Sequence, residues 1–262
     1  MKQQTPPVSR YTKFIKLKFF LKYLFDKYLK RFLNPKYFSY NYDGLATSHN
    51  MSFMEDENFQ ISYFRGKSAI NNSADMPLRA HQAIWAANHC LKIDGDFMEL
   101  GTGKGFVMSC VLASIKNWNE YKKTLWLFDT FEPYMINDRG DQVQERGKCK
   151  YYADNFESVQ KNFSEWNNIK MIKGKLPQTL NEYISNNTQS KISFLHIDLN
   201  FPKIEIDCLN LLWDKITTNA IILIDDYCFR GFETTKLAFD NFANNRNKKI
   251  LTLASGQGIL IR

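Results

Sequence analysis

Asp96-Phe97-Met98-Glu99-Leu100-Gly101-Thr102-Gly103-Lys104-Gly105-Phe106 is the stretch from which the rest of this chain is interpreted. An apolar, strand-like run, Asp96 to Leu100, enters a loop with glycine at every second position, and a helix-like stretch, Phe106 to Ile115, follows at once. Glycines at 101, 103 and 105 let the backbone turn tightly and let another group lie close against it. The helix start then turns unpaired N–H groups toward the same spot. A nucleotide-like cofactor is held in this way after the first strand of an open α/β sheet. The bland alternative is an ordinary tight strand-to-helix turn.

Two details turn the reading away from a dinucleotide site. The spacing is G-x-G-x-G rather than G-x-G-x-x-G, and no G-x-x-x-x-G-K-[ST] phosphate loop is present. Glu99 stands two residues before the first glycine, where a carboxylate can accept from an ammonium group, which a pyrophosphate lacks. Glu99-x-Gly101-x-Gly103-x-Gly105 resembles the first motif of class I S-adenosylmethionine-dependent methyltransferases.

Beyond the loop, strand and helix signals alternate. Strands are expected at Thr124 to Phe128, Ile169 to Ile172, Ile192 to Ile197 and Ala220 to Ile224. Helices are expected near 152–166, 177–186, 205–215 and 233–244, and another from Pro77 to Leu91 leads into the first strand. Lys249 to Ala254 and Gly258 to Ile261 flank Ser255-Gly256-Gln257 and read as a closing antiparallel pair. Such alternation predicts a mostly parallel, doubly wound α/β sheet with ligands beyond the carboxyl ends of its strands.

Acids gather at those ends. Glu99, Asp129, Asp198, Asp225 and Asp226 all close an expected strand. A lone strand-end Asp is usually a cap or turn former, but several unpaired carboxylates at one edge repel one another. Asp129 is placed to accept from both hydroxyls of a ribose. Asp198, Asp225 and Asp226, from adjacent strands, suit a hard divalent cation such as Mg²⁺. Such an ion would hold a substrate hydroxyl and make its oxygen a better nucleophile. The alternative is that Asp225 or Asp226 caps the next helix and Asp198 bonds to loop amides. Asp198 is also the carboxylate best placed to accept a proton.

The chain has 262 residues, room for one large domain with an appendage. Its formal charge of +8 is concentrated in residues 1–36, which hold ten Lys/Arg and one acid, Asp26. The remainder is close to neutral, so a nucleic-acid groove on the main domain is not supported. Five cysteines without C-x-x-C spacing argue against a disulfide framework and a thiolate zinc site, and suit a reducing, cytoplasmic setting. No apolar run approaches the ~18 residues of a membrane span. Residues 10–33 read as one amphipathic helix. Phe14, Leu17, Leu21, Leu24, Phe25, Tyr28 and Phe32 share one face, with many lysines opposite and Asn34-Pro35 as the stop. This arm suits packing on its own domain or in a homodimer; the other reading is a peripheral contact with an anionic membrane surface. Residues 34–75 read as loops and short elements capping a cleft. His196, inside a buried-type strand, reads as a core histidine; His81 and His89 read as packing or surface residues.

A longer, ordered set of motifs makes the resemblance specific. Asp96-Phe97-Met98-Glu99-Leu100-Gly101, Leu127-Phe128-Asp129-Thr130-Phe131-Glu132, Gly174-Lys175-Leu176-Pro177-Gln178-Thr179-Leu180, His196-Ile197-Asp198 and Ile224-Asp225-Asp226-Tyr227, followed by Gly231 and Ala238-Phe239-Asp240, resemble the macrocin-type O-methyltransferases. These are metal-dependent enzymes that methylate hydroxyls, often on sugars of natural products. The resemblance covers roughly 77–262. It implies a seven-stranded Rossmann-like methyltransferase sheet with an antiparallel last strand, following a helical arm (1–36) and a cap or linker (37–76). It implies that Glu99, Gly101, Thr102, Gly103 and Gly105 meet the methionine part of S-adenosylmethionine, that Asp129 takes the ribose, and that Gly174 and Lys175 lie near the adenine. It implies Asp198, Asp225 and Asp226 for Mg²⁺, and a sugar, glycan or natural-product hydroxyl as acceptor. The family tends to continue His-Ile-Asp with a small residue, a second Asp and then a Tyr two further on; here the run is Leu199-Asn200-Phe201-Pro202, and Asn200 cannot be a base. A methyltransferase fold that only binds, and a dinucleotide-dependent oxidoreductase, are the alternative readings.

Overall fold

The structure, a computed structural model, describes residues 20–25, 37–132, 135–136, 142–143 and 156–262. Of the helix expected over 10–33, only residues 20–25 lie among these; they are helical, with Phe20, Leu21, Tyr23 and Phe25 exposed. The chain divides into two compact units, Met1–Met51 and Ser52–Arg262. Within the first, Tyr40–Tyr42 and Leu45–Thr47 form a hairpin around Asp43-Gly44, both with positive φ, as an Asp-Gly turn favours.

The second unit is built on a seven-stranded sheet. Its strands are β1 (Asp96–Leu100), β2 (Leu125–Asp129), β3 (Ile169–Lys173), β4 (Ile192–Ile197), β5 (Ile216–Ile224), β6 (Ile250–Thr252) and β7 (Gly258–Ile261). Their spatial order is β6-β7-β5-β4-β1-β2-β3. All β1–β5 neighbours pair in parallel, while β7 runs antiparallel to both β5 and β6. The expected doubly wound sheet with an antiparallel last strand is what forms. A separate two-stranded pair joins Met135–Ile136 to Gln142–Val143.

Alternation along the strands sorts side chains between two layers. Met98, Leu100, Leu195, Ile197, Ile222 and Ile224 face α5 (Gln178–Asn186), α6 (Pro202–Leu212) and α7 (Glu233–Asn244). Phe97, Leu127, Phe194, Ile221 and Leu223 face α2 (Pro77–Cys90), α3 (Phe106–Ser114) and α4 (Phe156–Asn162). The same parity sends Glu99, His196 and Asp225 toward the α2 layer.

One element differs from expectation. Residues 57–69, within a region expected to hold loops and short elements, form the 13-residue helix α1 (Glu57–Ala69), capped by Asp56, whose carboxylate accepts from Phe59 N–H at 2.8 Å. Its buried stripe is Phe59, Ser62 and Gly66, too small and polar to register as hydrophobic periodicity. A Cβ at Gly66 would lie 2.1 Å from Cys110 Sγ, so glycine is what lets α1 close on α3. Arg65 ties the same helix to the end of α4 through Asn162 and Glu165 and by stacking over Trp166.

Candidate functional site

The site forms where the strand order reverses, between β1 and β4. Each parallel ladder runs one residue past its strand: Gly101 N–H bonds to Phe128 O, Asp198 N–H to Leu100 O, Asp225 N–H to Ile197 O, and Gly174 N–H to Asp129 O, all at 2.9 Å. These bonds hold Gly174, Asp129, Gly101, Asp198 and Asp225 along one edge. Gly101 has φ +90°, and a Cβ there would fall 1.9 Å from Asp198 O. Only glycine lets the first loop pass so close to the fourth strand's end.

The glycine loop opens onto free space at Gly103, where a Cβ would meet nothing within 4 Å. Gly103 N–H donates to Asp129 Oδ2 at 2.7 Å, and Phe131 N–H donates to Oδ1 of the same carboxylate at 2.9 Å. Asp129 therefore folds back over the loop from the next strand. Thr102 is buried with its hydroxyl beside Glu99. Gly174 and Lys175 follow β3, beyond Asp129, and Lys175 is exposed.

Glu99 is 2% exposed and its carboxylate is asymmetric in its contacts. Oε1 bonds to His196 Nδ1 at 2.9 Å, whereas Oε2 is buried with no hydrogen-bond partner. Burial raises the Glu99 pKa, and His196 and Thr102 pull it back in part. An unpaired, buried carboxylate oxygen is costly unless something arrives to use it.

His196 is fully buried, as the sequence suggested, but its surroundings are not apolar. Nδ1 meets Glu99, and Nε2 lies 3.7 Å from Asp225 Oδ1. Burial opposes a charge on the ring, but Asp225 and Glu99 outweigh it and push the pKa up to about 10. The His196 ring thus lies between Glu99 on β1 and Asp225 at the end of β5.

Asp198, Asp225 and Asp226 converge, with ligand-capable oxygens all within 4.8 Å of one another. Burial and the charges of Asp225 and Asp226 hold the Asp198 carboxyl well above the usual range. Burial would raise Asp225 too, but Arg79, His196 and Gln257 more than offset it and lower its pKa. Gln257 Nε2 donates to Asp225 Oδ1 at 2.8 Å, and Ser255, bonded to Gln82 and Gln257, steadies that amide. Behind the pair, Tyr227 O–H donates to Asp240 Oδ1, and Lys236 bridges both. This explains why Asp240 belongs with the strand-end motif.

Arg79 was not among the expected site residues. Its Nη1 donates to Asp225 Oδ2 at 2.5 Å and to Asp226 Oδ1 at 3.1 Å, and Phe229 covers the guanidinium at 5.1 Å. The signal lay in α2: Arg79 falls on the same helical stripe as Ala83, Ala86, Ala87 and Cys90, all buried. A cation on an apolar stripe needs a buried anion. Asn200 sits in a left-handed turn (φ +59°), and Pro202 opens α6. Glu205 on that helix accepts from Leu199 N–H at 3.2 Å, and burial pushes its pKa up to about 7.

A scan against family models matches residues 76–252 to the macrocin-O-methyltransferase (TylF) family. The mycinamicin III 3''-O-methyltransferase of Micromonospora griseorubida is 21% identical over 180 residues, covering 62% of this chain and 71% of that protein. Among solved structures, the O-methyltransferase NovP superposes with a TM-score of 0.55 at 18% identity, covering 70% of this chain and 79% of NovP. The calicheamicin methyltransferase CalS11 gives 0.54 at 15%, covering 79% and 93%. These structural likenesses show a shared fold. With more than half of its length matched, the chain belongs to the macrocin-O-methyltransferase family and is a methyltransferase.

Proposed function

We propose that this protein transfers a methyl group from S-adenosylmethionine to a hydroxyl of a sugar or sugar-bearing natural product, assisted by a divalent cation such as Mg²⁺. The observation that carries the reading is one edge holding two unlike acid sites side by side. Glu99 with the open glycine loop and Asp129 forms one; Asp198, Asp225 and Asp226 form the other. The first fits a nucleoside with an amino-acid tail. The unpaired Oε2 of Glu99 is an acceptor for an ammonium group, and Asp129 can exchange its bond to Gly103 N–H for ribose hydroxyls. Gly103 opens onto free space for the chain between them, Gly101 and Gly105 let the loop close on Asp198 and Phe163 beside Thr102, and Gly174 and Lys175 would border the adenine end.

The second site fits a hard cation, since it offers carboxylate oxygens close together and no soft ligands. When bound there, Mg²⁺ would orient the acceptor hydroxyl and lower its pKa. Asp198, nearest to the cofactor loop by its bond to Leu100 O, takes the hydroxyl proton as the new C–O bond forms. His196 keeps Glu99 and Asp225 in fixed relation, so donor and acceptor are aligned before reaction. The likeness to CalS11, described as a TDP-rhamnose 3'-O-methyltransferase, supports this acceptor class.

Calorimetry on the full chain tests this directly. Micromolar binding of S-adenosylmethionine, none of NAD, and loss of binding in Glu99→Gln are expected. A separate Mg²⁺ heat should vanish in Asp225→Ala. Preference for NAD, or no S-adenosylmethionine binding, would overturn the cofactor assignment. Methyl transfer to a panel of free and nucleotide-linked sugars then tests the acceptor class.

A further inference from the structure

We infer that the groove between α2 and the outer strands β6 and β7 binds a single-chain alkyl phosphate, its chain along the strands and its head on Lys248 and Lys249. The inference stands apart from the methyl-donor and cation readings. α2 packs over β4 and β5, so the same face of the sheet continues past the helix onto β7 and β6. Alternation puts Lys249, Leu251 and Leu253 along β6, and Ile259 and Ile261 of β7, on that face. Leu251 is 62% exposed and Ile261 50%, and Trp85 on α2, 55% exposed, forms the wall beside them. The cavity they line holds about 570 Å³, within the size range of small-molecule sites. At about 3.3 Å per residue its floor runs roughly 13 Å from Lys249 to Leu253. Gln82, bonded to Ser255, closes the Leu253 end.

The other end is cationic. Lys248 and Lys249 line it with the amides of Asn219 and Asn247, and no acid lines the cavity. Register gathers them: Asn219 N–H bonds to Arg262 O just past β7, and Lys248-Lys249 lead into β6 alongside. Among the described residues neither lysine makes an ion pair. Lys249 Nζ donates to Asn244 Oδ1 at 3.3 Å, and Asp240, which senses its charge, is already held by Lys236 and Tyr227. Arg262, at the same end, is taken up by Trp213 O, the Trp213 ring and Asp214. A phosphate monoester carries roughly −1.5 to −2 at pH 7 and three acceptor oxygens, a match for two ammonium groups and two amides. Its alkyl chain leaves nothing unmet on an aliphatic floor, whereas a peptide laid there would bury unpaired backbone groups. Other occupants fit the charge poorly. A second copy would present the same acid-free lining, and residues 1–36 carry ten Lys/Arg and one acid.

Calorimetry on the full chain with decyl phosphate, kept below its micelle-forming concentration, is the test. Wild type should bind it with micromolar affinity at low salt. Decyl maltoside, with the same chain and a neutral head, should bind at least tenfold more weakly. Added salt should weaken the phosphate and spare the maltoside. Leu251→Asp, and Lys248→Glu combined with Lys249→Glu, should each cost at least tenfold in decyl phosphate affinity. Both variants change side chains outside the core and should melt with the wild type. A readout independent of both is tryptophan fluorescence: decyl phosphate should change it in wild type, and Trp85→Phe should remove that change. No binding, or equal binding of the two amphiphiles, would overturn the inference. Binding that survives both variants would place the amphiphile elsewhere, on the basic residues 1–36 for instance, and would overturn it too. So would a wild type that sediments as a dimer and a Leu251→Asp variant that sediments as a monomer, since the face would then belong to a second copy.

Discussion

Asp198, the proton acceptor we propose, illustrates how a side chain offered for function can cost stability. Burial and the neighbouring Asp225 and Asp226 charges raise its pKa well above the ordinary carboxylate range. The sign follows from proton linkage. Between the ordinary and the raised pKa the native state binds more protons than the unfolded chain, so stability falls as pH rises through that window. In the metal-free protein at pH 7.5, Asp198→Asn should therefore raise the melting temperature by about 2 °C or more while abolishing methyl transfer. Below about pH 3, where the acid is protonated in both states, the two melting temperatures should converge. Scanning calorimetry in chelator across that range is the measurement; an Asp198→Asn variant less stable than wild type at pH 7.5 would contradict the electrostatic account.

Gly101 shows the opposite kind of constraint, steric rather than electrostatic. With φ +90° and Asp198 O at 1.9 Å from a built Cβ, Gly101→Ala must move the first loop away from the fourth strand. S-adenosylmethionine affinity should drop by at least tenfold even if the fold survives, as calorimetry would show.

Among the elements, α1 and α3 depend on one glycine for their contact. A Cβ at Gly66 would meet Cys110 Sγ at 2.1 Å and Phe106 O at 2.9 Å. Gly66→Val should cost about 1–3 kcal/mol through overpacking, read by urea denaturation. Adding Cys110→Ala should restore part of that loss, since the nearest clash is with its sulfur; no rescue would place the strain in the backbone instead. The helix was illegible beforehand because its buried face is Phe59, Ser62 and Gly66. Packing there relies on closeness, and closeness leaves no hydrophobic pattern. The strands were legible for the converse reason: β1 and β4 are buried on both faces and read as continuous apolar runs.

Across the whole molecule, the two ends of the sheet do different work. Acids occupy the carboxyl ends. At the other end Lys123 is buried, its Nζ donating to Ile93 O at 2.5 Å, Gly95 O at 2.6 Å and Ser193 Oγ at 3.2 Å. Burial lowers its pKa, and Asp96 resists that shift. Lys123→Met should leave those acceptors unmet and destabilise the protein by about 1–3 kcal/mol. S-adenosylmethionine affinity should stay within twofold, because the binding edge lies at the far end of the strands. A large loss of affinity would show the ends to be coupled. Among the described residues, no helix is long and apolar enough to cross a membrane.

The order of residues was enough to establish the alternating strands and helices, the glycine loop and the acids at the strand ends. These are local facts: apolar runs and periodicity mark the elements, and a parallel register makes neighbouring strand ends into neighbours in space. What those acids face was settled by folding in three dimensions. Arg79 lies 146 residues before Asp225, and Gln257 lies 32 after it. His196 reads as a core residue until the register sets it beside Glu99. Periodicity records which face of an element is covered, whereas the partner that covers it is chosen by packing, and charge balance in a buried site depends on the partner.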